Sequence, residues 1–174
     1  MTDARQVMWQ NRLVTEIETF KQQIKTLALA TVDEQGVPNV SYAPFVIDNG
    51  EYQVLISTVA RHARNLMQMP KLSLMLIEDE AASSEIFARR RLTFDATARM
   101  IARDSAEWQT GIDKLKARHG ALVEKLIELG DFKLFSFKVH NGLFVKGFGK
   151  AFHIDAGGAA DLVHIDEGHK KRVD

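Results

Sequence analysis

Apolar and polar positions follow two different periods along this chain. Apolar residues recur every three or four positions at Leu13, Ile17, Phe20 and Ile24, which predicts an amphipathic helix. The next stretch, 26–32 (TLALATV), contains β-branched residues and alternates in part, which predicts a strand. The chain therefore changes from helix to sheet between these two stretches.

Further segments with the strand pattern follow, and most of their connections are short. They are 39–47, 52–57, 71–78, 91–102, 131–139 and 142–154. Asp48-Asn49-Gly50 and His140-Asn141-Gly142 are tight-turn sequences, so each predicts a hairpin between its flanking strands. This pattern indicates an antiparallel sheet.

Helical spacing returns at 58–69, which stops before Pro70, and again at 104–120 and 121–129. Asp104 is predicted to cap the helix that follows it, with Glu107 at capping-box spacing. Short strands with few helices predict a mainly β (α+β) fold, in which the antiparallel sheet closes into a small barrel and the helices pack outside it.

The chain divides near residue 155. Residues 1–155 hold all the predicted elements and form the barrel domain. Small residues at 156–160 (AGGAA) then break the pattern, and the charged segment that completes 156–174 is too polar to build a core. This tail is either solvated or ordered against another surface.

Composition restricts the chemistry. The 174 residues include no cysteine, so thiolate metal sites and cysteine nucleophiles are excluded. Lysine plus arginine equals aspartate plus glutamate, which favours neither nucleic acid nor anionic membrane as a partner. The first residues lack the apolar core of a signal peptide, and no apolar run approaches the roughly 20 residues of a membrane helix. We expect a cytoplasmic protein.

Two histidines of the tail, His164 and His169, are candidate metal ligands. Gly168 precedes His169, and a residue without a side chain lets the backbone approach a cofactor. Imidazole is a common ligand of iron, including heme iron. The alternative is that both are exposed histidines of a solvated tail.

Cations gather at a predicted strand-to-helix junction, where Arg61, His62 and Arg64 follow Ser57-Thr58. The free N–H groups and positive dipole at a helix start favour an anion, and either a phosphate or a heme propionate suits this stretch. The alternative is a solvated basic face.

Two further residues stand at strand boundaries. Arg91 is the first residue of a predicted strand, where it can pair with an anion or donate to an iron-bound ligand. Arg89 and Arg90, which precede it, are interpreted as a charged surface corner. Asp131 follows Gly130 at a helix-to-strand transition, and it is either a turn residue or a carboxylate that accepts the second N–H of a metal-bound imidazole.

Several stretches, in order along nearly the whole chain, resemble the HutZ/HugZ family of bacterial heme-utilisation proteins. They are TLALATVDEQGVPNVSYAPFV, LISTVARHARNL, MLIEDE, FARRRLTFDA, GLFVKGFGKAF and VHIDEGHKK. This family belongs to the pyridoxamine 5'-phosphate oxidase-like split β-barrels, which are homodimers that usually bind FMN at the subunit interface. The resemblance implies a split barrel, a homodimer with an interface-shared site, and heme as the ligand.

The resemblance also implies residue roles. His169 lies in the family's EGH motif and would be the axial heme ligand, with His164 as a second ligand or a bystander. Asp131 would meet the ligand imidazole across the dimer interface, and Arg91 would lie on the distal side or at the heme edge. The cations Arg61 and Arg64 would anchor propionates.

Three functions remain open at this point. The first is oxidative heme cleavage with iron release, from an electron donor that the sequence does not identify. The second is heme storage or transfer without chemistry. The third is an FMN-dependent oxidoreductase. His62 argues against it, because the flavin relatives carry lysine at this position and a neutral imidazole is a poorer phosphate partner.

Overall fold

The computed structural model describes residues 2–155, with side chains described from residue 7 onward. The elements are α1 (Thr2–Gln23), β1 (Thr26–Val32), β2 (Pro38–Asp48), β3 (Glu51–Ser57), α2 (Arg61–Gln68), β4 (Lys71–Ile77), β5 (Arg91–Met100), α3 (Ala106–His119), α4 (Leu122–Glu128), β6 (Phe132–Gly147) and β7 (Lys150–Ile154). Two 3₁₀ turns, Glu80–Ala82 and Ile86–Ala88, lie between β4 and β5.

These residues form two compact units. One consists of Lys25–Met75 and Phe94–His140. The other takes the described residues before Lys25, the segment Leu76–Thr93 and the described residues after His140. The predicted boundary between 1–155 and 156–174 coincides with the end of the described residues and stays a prediction.

The first unit contains a closed antiparallel barrel. Its strands follow the order β3-β2-β1-β4-β5-β6, and β6 also pairs with β3. The closing ladder places Tyr52 opposite Phe137 and Ser57 opposite Phe132. The predicted fold class, an antiparallel sheet closing into a barrel with outer helices, is confirmed.

Alternation along β3 separates the barrel interior from its outer face. Tyr52 and Val54 share a face with their cross-strand partners Phe137 and Phe135, and all four are at most 1% exposed. The intervening residues of β3 point to the opposite face, where α3 and α4 cover them. That outer layer is a second apolar cluster, consisting of Val46, Leu55, Ile101, Trp108, Ile112, Leu115, Val123 and Leu134.

In the second unit, the predicted apolar face of α1 is buried at Leu13, Ile17 and Phe20. The Phe20 ring lies 5.8 Å from that of Phe144, which belongs to the part of β6 that pairs with β7. These contacts give α1 its tertiary stabilisation, because packing of an apolar face contributes more to helix stability than propensity does.

One predicted hairpin is confirmed and the other is wrong. Asn49 and Gly50 both have positive φ, at 49° and 80°, as a type I′ turn between β2 and β3 requires. His140-Asn141-Gly142, by contrast, continues β6 as one strand of 16 residues, and the chain reverses instead around Phe148. The His140 ring is hydrogen-bonded to Thr97 Oγ1 at 2.8 Å, which ties this point of β6 to the sheet.

The predicted cap of α3 is one residue out of place. Ser105, not Asp104, is the N-cap, and its hydroxyl accepts a hydrogen bond from the Trp108 N–H at 3.1 Å. Asp104 adopts φ of 65° in the turn before the helix. Glu107 pairs with Arg99 rather than completing a capping box.

Candidate functional site

The junction where β3 and β6 close the barrel fixes one candidate residue. The Ser57 hydroxyl donates a hydrogen bond to Asp131 Oδ2, and the Asp131 carbonyl accepts from the Thr58 N–H at 2.9 Å. Asp131 is half-buried and immediately precedes β6. A carboxylate held in this way through both its side chain and its backbone presents Oδ1 in a fixed direction.

The start of α2 holds the predicted anion-binding residues, but its arginines already have partners within the protein. Arg61 forms an ion pair with Asp33 at 3.3 Å, and the Arg64 guanidinium donates to the Val59 carbonyl. The N-cap residue, Ala60, offers no side-chain hydrogen bond to the helix. Arg61 is 45% exposed, so its ion pair contributes little and can be exchanged for another anion.

His62 lies between these arginines and is half-buried. Its burial disfavours the charged imidazolium and lowers the pKa of the ring below the ordinary histidine value. The imidazole is therefore neutral at neutral pH, which makes it a hydrogen-bonding group rather than a cation.

A cavity of about 540 Å³ opens beside this junction. Ser57 and His62 contribute to its polar part, and most of the remaining wall is apolar. The full lining is Tyr42, Ala43, Pro44, Leu55, Ile56, Ser57, Ala60, His62, Leu115, His119, Leu122, Val123, Leu126 and Phe132. Its volume and mostly apolar wall are typical of sites for flat organic ligands.

Two residues of this wall were not candidates in the sequence. Tyr42 lies on β2 and is 70% exposed, which is unusual for an aromatic residue in a strand. His119 is the last residue of α3, and its Nε2 donates to the Phe45 carbonyl at 2.9 Å. The alternating pattern around Tyr42 assigns it to an outward face, and that is the only signal that marked it.

Arg91 belongs to the other compact unit. Its guanidinium Nη1 donates to the Arg89 carbonyl at 3.2 Å, and the side chain is half-buried. The structure thus brings Ser57, His62 and Asp131 together around one junction of their own unit. The candidate ligands His164 and His169 lie outside the described residues.

Within the described residues, no three His, Asp or Glu side chains group as a metal site. None of the helices in that part of the chain is both long enough and apolar enough to cross a membrane. The cytoplasmic location stays a prediction.

Comparison with known proteins places the chain in a family. The family model described as pyridoxamine 5'-phosphate oxidase matches residues 13–146. The protein named heme oxygenase HutZ, from Vibrio cholerae, is 52% identical over 167 residues, which is 96% of this chain and 95% of that protein. The chain belongs to the HutZ family of pyridoxamine 5'-phosphate oxidase-like proteins.

Solved structures agree with membership of the HutZ family. The crystal structure of HutZ, described as the heme storage protein from Vibrio cholerae, is 48% identical and superposes with a TM-score of 0.68 over 79% of this chain and 92% of that one. ChuZ from Campylobacter jejuni is 27% identical, with a TM-score of 0.84 over 93% of this chain and 67% of that one. The resemblance inferred from the sequence is confirmed.

Proposed function

We propose that this protein binds heme and opens the macrocycle oxidatively, so that its iron is released for use by the cell. The observation that carries this proposal is the 52% identity, over 96% of the chain, to a protein named heme oxygenase. Heme is here the substrate. The sequence does not identify the electron donor.

The cavity beside the β3–β6 junction supports this ligand. Heme is a large apolar disc with two carboxylates, so its site needs apolar walls and polar groups confined to one side. Apolar side chains form most of the wall, while Ser57 and His62 supply polar atoms. Exposed Tyr42 offers an aromatic face against which a planar ligand can stack.

The proposed roles of the protein's own residues follow from their chemistry. His169 binds the iron through one ring nitrogen, and Asp131 accepts the N–H of the other, which fixes the imidazole and increases its basicity. Ser57 occupies only Oδ2 of that carboxylate, so Oδ1 remains for the imidazole. Arg91 pairs with an anionic part of the ligand, and bound heme supplies the redox-active iron.

An absorbance titration with hemin, followed by a reductant in air, tests the proposal. We expect a saturable Soret band, then its loss, with a bilin absorption and chelatable iron appearing in step. A protein that stays colourless with hemin contradicts the whole proposal. A stable Soret band under reductant favours the second candidate, heme storage, which is supported by the description of the solved HutZ structure as a heme storage protein.

The third candidate, an FMN enzyme, is favoured by the match to the oxidase family model. The residues at the start of α2 do not fit the phosphate of FMN. His62 is held neutral by burial, and Arg64 is bound to a backbone carbonyl. We derive no flavin chemistry for this chain, and flavin fluorescence released by denaturing the purified protein would contradict this assignment.

Asp131→Ala is expected to keep hemin binding but to slow its degradation by roughly 10- to 100-fold, the usual range for loss of a partner that orients a metal ligand. The measurement is the rate of Soret loss at saturating hemin. Asp113→Ala, which removes an exposed carboxylate on α3, is the control and should keep the wild-type rate. Wild-type turnover in Asp131→Ala would exclude the proposed role of this carboxylate.

We also propose that the protein is a homodimer that shares its site between copies. On the outer face of the barrel, Ala28 lies opposite Tyr42 and Met75, and Ala30 lies opposite Val40. Val40 and Tyr42 are 77% and 70% exposed. These small and apolar side chains form two neighbouring rows on one sheet face. Such a face can pack against the same face of a second copy, as in an isologous interface.

Ala30→Glu is expected to convert the dimer to a monomer, because association would then bury two unpaired carboxylates at several kcal/mol each. Sedimentation velocity gives the mass directly. Val7→Glu, at an exposed apolar position on α1, should leave the dimer intact. An unchanged dimer in Ala30→Glu would show that this face is not the interface.

A further inference from the structure

Three consecutive arginines lead into β5, whose first residue is Arg91, and the first two are bound to acidic residues of the segment after β4. Glu78 is 8% exposed, and its carboxylate accepts hydrogen bonds from the Arg90 N–H at 3.2 Å and from Arg90 Nε at 2.8 Å. In return, the Glu78 N–H donates to the Arg90 carbonyl at 2.9 Å. Glu78 therefore fixes both the backbone and the side chain of Arg90.

Arg89 is fixed by the same residue through a different atom. Its Nε donates to the Glu78 carbonyl at 3.0 Å, and Nη2 donates to that carbonyl as well. Nη1 forms an ion pair with Glu80 at 3.1 Å. Arg89 and Arg90 are thus both bound to the backbone and carboxylates of the short segment that contains Glu78 and Glu80.

Arg91 is arranged differently. Among the described residues, the Arg91 guanidinium is hydrogen-bonded to the Arg89 carbonyl and forms no ion pair. It is half-buried, which strengthens its interaction with any anion that reaches it. The Arg89 carbonyl that holds Arg91 belongs to the same peptide group as the Arg90 N–H, which donates to the Glu78 carboxylate. The orientation of Arg91 therefore depends on that carboxylate.

We infer that Glu78 is a positioning residue, which locks Arg89 and Arg90 so that the Arg91 guanidinium alone is presented to an anionic group of the ligand. The ligand in this inference rests on the proposed function, but the dependence of Arg91 on Glu78 does not.

The protonation state of Glu78 agrees with this role. Burial by itself raises the pKa of the carboxyl, but the hydrogen bonds and the positive charge of Arg90 outweigh it, so the pKa lies below the ordinary value. The carboxylate is therefore ionised at neutral pH and remains a full partner of Arg90.

Glu78→Gln tests the inference, with Glu80→Gln as the matched control in the same segment. Glu80 also binds Arg89, but its side chain is 74% exposed and it does not contact Arg90 in the described structure. We expect Glu78→Gln to lower the rate of hemin degradation roughly tenfold through misplacement of a substrate-contacting group, and Glu80→Gln to keep the wild-type rate.

The Arg91→Ala background separates positioning from a general loss of stability. The double variant should degrade hemin at a rate within about twofold of that of Arg91→Ala alone, because the group that Glu78 positions is already absent. A further loss equal to that seen in the wild-type background would overturn the inference. Where hemin is bound but not degraded, the same comparison is made with the hemin dissociation constant.

A measurement without hemin keeps the inference independent of the proposed function. The Nε–H signal of Arg91 in ¹⁵N-arginine-labelled protein is assigned by its absence in Arg91→Lys. We expect this signal to hold its position in Glu80→Gln and to move toward that of free arginine in Glu78→Gln. An Arg91 signal unchanged in Glu78→Gln rejects the inference, whether or not the protein binds hemin.

Discussion

His169→Ala is expected to lose the ordered hemin complex. If the His169 imidazole is the axial ligand, its removal leaves the iron without its protein bond, so the Soret band should shift and broaden toward that of free hemin. Hemin affinity should fall by more than about tenfold, which corresponds to about 1.4 kcal/mol. Degradation should fall below detection. Absorbance titration and single-turnover assays measure both effects.

His164→Ala is the matched control, since it removes the other imidazole of the same tail, five positions earlier. It should keep the wild-type Soret band. The same spectrum in His169→Ala as in the wild type would reject the ligand assignment, and a spectral change confined to His164→Ala would transfer the role to that residue.

Gly111→Ala should lower the melting temperature by roughly 2–5 °C, because the clash outweighs the gain in helix propensity. A Cβ at this position of α3 would lie 2.8 Å from Leu134 Cδ2 and closer still to Gln53 Oε1. Gln53 and Leu134 are 1% and 0% exposed, so neither can move aside without repacking. Such overpacking costs about 1–3 kcal/mol, against roughly 0.5–1 kcal/mol gained when alanine replaces glycine in a helix. At this chain length each kcal/mol corresponds to about 2–4 °C.

Gly130→Ala is the control, because no atom lies within 4 Å of its Cβ position. It should change stability by no more than about 0.5 kcal/mol. Thermal unfolding followed by circular dichroism measures both variants. A rise in melting temperature for Gly111→Ala would show that α3 does not pack as closely on β3 and β6 as described.

Local patterns were enough to predict most of the fold. Residues 26–32 alternate and form β1 with those bounds, and Asn49-Gly50 predicted the hairpin because its left-handed conformations depend on these two residues alone. The turn predicted at His140-Asn141-Gly142 was wrong because tertiary contacts, rather than the local sequence, determine the backbone there. Its sequence permits a turn, but pairing with β7 and the hydrogen bond between His140 and Thr97 keep the strand extended.

The candidate site was harder to predict, because its contacts join distant parts of the chain. Asp131 was recognisable by its position before a strand, but its partner Ser57 is 74 residues away and no local pattern relates them. The sequence separated the arginines into a charged corner and a candidate, but it did not identify their acidic partner Glu78. Burial of Glu78 results from tertiary packing, which residue spacing along one strand does not reveal.

Closure of the barrel by β3 and β6 has a consequence for synthesis of the protein. Ser57 and Asp131 meet only when these strands pair, so a nascent chain on the ribosome cannot assemble this junction until β6 has emerged. Unfinished or truncated chains that end before Phe132 would therefore lack the fixed carboxylate of this junction.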